Sequence, residues 1–97
     1  ARPAVMDLFA DPWLQVRLAR AAREYLEGLA TRLADRGPSR TQMLLRLNGT
    51  QLERFLRDLD RGIYRGQGEL FLRDVRQLWS CLDGLRAEVE ADAARAS

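Results

Sequence analysis

Between residues 69 and 93, Phe71, Val75, Leu78, Leu82, Leu85 and Val89 recur at spacings of four, three, four, three and four. That spacing holds all six on one side of an α-helix. Such a helix would be about 37 Å long at the standard rise per residue. It cannot bury the stripe against itself, so the rest of the chain must supply an apolar surface to cover it.

The preceding sequence offers further helices. Asp11-Pro12 is a start signal: aspartate can accept a free backbone N–H, and proline has none to satisfy. The run that follows stops at Gly37-Pro38. Its expected core face is Leu14, Leu18, Ala22, Tyr25, Leu26, Leu29 and Leu33. Ser39 with Gln42 reads as a capping box, with Met43, Leu44 and Leu47 on one face, and Asn48-Gly49 as its end. Leu-Asn-Gly-Thr could also turn a β-hairpin, but the flanks do not alternate as strands do. Thr50 with Glu53 reads as a second capping box, followed by a face of Leu52, Phe55, Leu56 and Leu59. Gly62, Gly66 and Gly68 mark a loop in which Ile63 and Tyr64 are expected to tuck inward.

These signals predict an all-α fold, a small up-down helical bundle. Two long helices, about 12–36 and 69–93, are joined by two short ones, about 39–48 and 50–61, that act as one broken middle rod. Ninety-seven residues make a single domain, 1–97. Residues 1–10 are too apolar for a free tail and are expected to pack back onto the body or onto a partner. Residues 94–97 are expected to fray. Gly28 and Gly84 fall inside the long helices, where glycine costs about 1 kcal/mol relative to alanine; a close approach of two backbones would explain them. Arg20 with Glu24, Arg23 with Glu27, Glu53 with Arg57 and Arg54 with Asp58 are spaced to pair along the surface.

The chemistry the sequence lacks narrows its function. It has no histidine, the commonest metal ligand and general base, and one cysteine, Cys81, which cannot close an internal disulfide. Cys81 reads as a small hydrophobe at the edge of the last helix's apolar face. Asp58 and Asp60 are too few for a metal site, and two apart on a helix they point to different sides. The glycines at 62, 66 and 68 follow no strand, so they do not make a phosphate loop. No catalytic residue, cofactor or metal is expected, and the chain is read as not an enzyme. No apolar run is long enough to span a bilayer, and no signal peptide is visible. The expected location is intracellular, cytoplasmic or nuclear. The chain opens on Ala rather than Met, so a longer parent protein or complex is expected.

Contact with proteins remains the first reading: a helical protein–protein interaction or assembly domain, an adaptor or scaffold that binds a partner or itself as a homodimer. Its candidate contact residues are Phe9, Trp13, Val16, Leu72 and Trp79, large apolar groups that the stripes leave over. The alternative is a nucleic-acid-binding or regulatory module. All sixteen basic residues are arginine, and residues 38–66 hold six of them against three acids. Setting aside those with acidic neighbours leaves Arg40, Arg46, Arg61 and Arg65 as a candidate basic patch. The net charge of only +2 counts against this reading, and the mixed charges of both long helices count against a membrane surface.

Overall fold

In the computed structural model, which describes residues 5–33 and 37–96, four helices follow one another: α1 (Val5–Phe9), α2 (Pro12–Leu33), α3 (Ser39–Asp60) and α4 (Gly68–Ala96). No strand occurs among the described residues. The all-α bundle is therefore the fold. Two hydrogen bonds set the directions of the rods. Thr41, at the start of α3, donates its hydroxyl to Asp92 near the end of α4 at 2.6 Å. Gln15, at the start of α2, donates to the carbonyl of Tyr64, beyond the end of α3, at 3.0 Å. The long rods thus run up, down and up, with α1 folded back against α2 and α4.

Each rod contributes a stripe of the same period. On α4 all six expected residues, Phe71 to Val89, are buried. On α2 the buried set is Gln15, Ala19, Ala22, Leu26, Leu29 and Leu33. On α3, Thr41, Asn48, Leu52 and Phe55 are buried, with Leu45 and Leu59 half-buried between and below them. All three sets step by four and three in turn. A mean step of 3.5 residues keeps one face in contact along helices that cross at a shallow angle. Each large side chain so buried contributes about 1.5–3 kcal/mol. Of the expected face on α2, Ala22, Leu26, Leu29 and Leu33 are buried, whereas Gln15 and Ala19 take the inward places expected of Leu14 and Leu18, which with Tyr25 are half-buried on the flank. Ala19 and Ala22 let the rods approach, and the larger side chains fill the margin, with Leu18 and Tyr25 packed against the core.

The middle rod is unbroken, where two short helices were expected. The residues that signalled a stop satisfy their side chains within the helix instead. Asn48 Nδ2 donates to the Leu44 carbonyl at 2.9 Å, and the Thr50 hydroxyl donates to the Arg46 carbonyl at 3.1 Å. Bonds of this kind, back to the fourth preceding carbonyl, let Asn and Thr sit inside a helix. At the start of α3, Pro38 occupies the cap position and no side chain caps the helix, so the expected Ser39 box does not form.

Other expectations are also revised. Gly28 and Gly84 face open space, with no heavy atom beyond their own helix turns within 4 Å of where a Cβ would stand, so among the described residues no other backbone approaches them. None of the four expected surface pairs closes within 4.0 Å; Arg86 instead bridges Asp83 and Glu90, and Arg40 reaches Glu88 at 3.7 Å. The C-terminal segment is helical to Ala96, one turn beyond Asp92. The expected end of the first long helix at residue 36, and the packing of residues 1–6, lie outside the residues or side chains described.

Candidate functional site

One end of the bundle is assembled around Gln15. Its amide donates to the Phe9 carbonyl at 2.7 Å as well as to Tyr64, and the residue is 3% exposed. Helix C-termini leave carbonyls without partners, so one buried side chain ties the end of α1 to the connection between α3 and α4. Below it, Phe55, Tyr64 and Phe71 touch one another with ring centroids 5.4–5.6 Å apart. The Tyr64 hydroxyl donates to Asp74 at 2.8 Å. Burial first, and that carboxylate second, push the phenol well above its ordinary value.

On this rigid base stand side chains that the core does not cover. Asp11 Oδ1 accepts the Trp13 backbone N–H at 3.0 Å, fixing Trp13 in the first turn of α2, where the residue is 78% exposed. Leu8 and Ile63 are also exposed. Ile63 was expected inside, whereas only Tyr64 turns in. The reason lies in how α3 ends: Gly62 adopts φ +82°, its N–H reaches Leu59, and the Ile63 N–H reaches the Asp58 carbonyl. This closure turns Ile63 outward.

Beside this end, a groove of about 650 Å³ runs between α2 and α3. Val16, Leu56 and Leu59 line its half-buried floor. Arg20, Arg23, Arg57 and Arg65 stand on its rim, against a single acid, Asp60. Among the described residues, no ion pair within 4.0 Å engages any of these four arginines. Arg20, Arg23 and Arg57 escaped the sequence reading because each has a glutamate four residues away that was expected to neutralise it.

The sequence-derived candidates divide. Trp13 lies open, Val16 lines the groove, and Phe9 packs on the core. Leu72 and Trp79 are half-buried against the core, the Trp79 ring 5.4 Å from that of Tyr25. The basic candidates do not gather. With α3 continuous, Arg40 and Arg61 stand about 31 Å apart along its axis, and Arg46 about 22 Å from Arg61. Arg65 lies over Gly62 and joins the groove instead.

No family model, curated protein or solved structure matches the chain.

At the opposite end, Thr41 is buried and its bond holds the Asp92 carboxyl below its usual range, helped by Arg95. A cavity of about 260 Å³ between α3 and α4 is bordered by Gln51, Arg54, Asp58 and Gln77, with the Tyr64 hydroxyl already bound to Asp74. Cys81 is half-buried and free. Among the described residues no group of three or more Cys, Asp or Glu could hold a metal ion, and no helix is long and apolar enough to cross a membrane.

Proposed function

We propose that this chain is a non-enzymatic helical interaction or assembly domain, an intracellular adaptor or scaffold, that engages protein through the end of the bundle bearing Trp13. One observation carries the reading: a tryptophan left largely in solvent at a backbone position fixed by a capping aspartate. Tryptophan is enriched among the residues that dominate binding energy. A preordered anchor also loses little freedom on docking. Leu8 and Ile63 extend the apolar surface at the same end. The nucleic-acid alternative draws less support, because Arg40, Arg46 and Arg61 are strung along one rod rather than collected on a face.

The test compares the wild-type chain with Trp13→Ala by sedimentation for self-association and by affinity capture for a partner. Trp13→Ala is expected to abolish the association while leaving the urea midpoint unchanged, since the side chain contributes little to the core. Equal association by both proteins would contradict the assignment.

A further inference from the structure

The groove between α2 and α3 combines three properties that together define a ligand. It is apolar along its floor, its rim carries four unpaired guanidinium groups, and it lies between two antiparallel helices, the place a further helix takes in a bundle. We infer that it is the seat of an acidic amphipathic helix from a partner protein; this rests on the interaction-domain reading and names the partner's chemistry.

The dimensions agree with such an occupant. The groove follows α2 from Pro12 to Arg23, about 16 Å or three helical turns. A helix of that length offers two or three apolar side chains on one face, enough to cover Val16, Leu56 and Leu59. Carboxylates flanking that face would meet Arg20 and Arg23 on one side and Arg57 and Arg65 on the other. Guanidinium and carboxylate pair through two parallel hydrogen bonds, which fixes orientation as well as charge. A nucleic-acid backbone would satisfy the rim but would leave the apolar floor without a partner.

A second copy of this chain is a poorer occupant. The acids in the second half of its longest helix are engaged: Asp83 and Glu90 by Arg86, Glu88 by Arg40, and Asp92 by Arg95 and Thr41. That half of the helix therefore has few carboxylates left to offer, and the occupant assigned here is a helix of a different protein.

The experiment is fluorescence anisotropy with four labelled probes. These are a helical peptide of about three turns with a leucine stripe flanked by glutamates, a scrambled peptide of the same composition, a duplex DNA and a single-stranded RNA. The striped peptide is expected to bind with a Kd on the order of tens of micromolar and to weaken as salt rises. The scrambled peptide and the nucleic acids should bind at least about tenfold more weakly. The Arg20→Glu, Arg23→Glu, Arg57→Glu triple variant should lose about tenfold or more in affinity. These three side chains are exposed and unpaired, and circular dichroism of the variant verifies that it folds. If the wild type does not bind the striped peptide, or binds the scrambled peptide or a nucleic acid as well, the inference is overturned. So it is if the folded triple variant binds the striped peptide as tightly as the wild type. Retention of the Trp13-dependent association in that case would leave the interaction-domain reading standing, so the two failures are distinguishable.

Discussion

Asn48 is the buried side chain whose hydrogen bonding is incomplete among the described residues: its amide reaches Leu44, but its Oδ1 has no partner. An unpaired buried acceptor costs roughly 1–3 kcal/mol. Asn48→Leu is accordingly expected to raise stability by about 1 kcal/mol in urea titration. Asn48→Asp should lower it by at least about 2 kcal/mol at neutral pH, because a charge would then be buried without a counterion. A destabilised leucine variant would show that the carbonyl oxygen has a role the packing does not reveal. This residue also marks a limit of sequence reading. Asn-Gly is a strong turn signal, but the bond from Asn48 back to its own helix cannot be known before the neighbours that bury it.

The elements themselves were largely legible. The Phe71-to-Val89 stripe appears in the sequence with no interruption, and the Asp11 start and the Gly62 stop act as their chemistry requires. The inward face of α2 was legible from Ala22 onward but not in its first turns, because Leu14 and Leu18 outrank Gln15 and Ala19 on any scale of hydrophobicity. Only the common four-three step of all three rods identifies the correct set. The glycines provide the test at this scale. Gly28→Ala and Gly84→Ala meet no obstruction and should each add about 0.5–1 kcal/mol in chemical denaturation. Gly62→Ala, at φ +82°, should lose about 1 kcal/mol. Destabilisation by either helical alanine would reveal a backbone contact from outside the chain.

For the molecule as a whole, the two ends of the bundle are held by different chemistry. At the far end the Thr41–Asp92 bond joins the start of α3 to the last turns of α4, and it depresses the acid's pKa. A depressed folded pKa gives stability that is present above the unfolded value, about 4 for aspartate. That stability is lost as pH falls through the folded value. Stability measured against pH should therefore drop on the acid side of about pH 4, and Thr41→Val should flatten that limb; an identical acid limb in both proteins would contradict the assignment.

The near end is held by Gln15 and a cluster of rings, and it leaves Trp13 in water. The site was only half legible at this scale. Trp13 could be singled out as surplus to the stripes, whereas the arginine rim depends on which charges fail to pair once the rods are set. The most direct test of the account is acrylamide quenching of Trp13 in a Trp79→Phe protein, followed down a dilution series. The account predicts an indole quenched freely in the dilute chain and shielded when a protein occupies that end. An indole protected at the lowest concentration, with no second molecule bound, would contradict it.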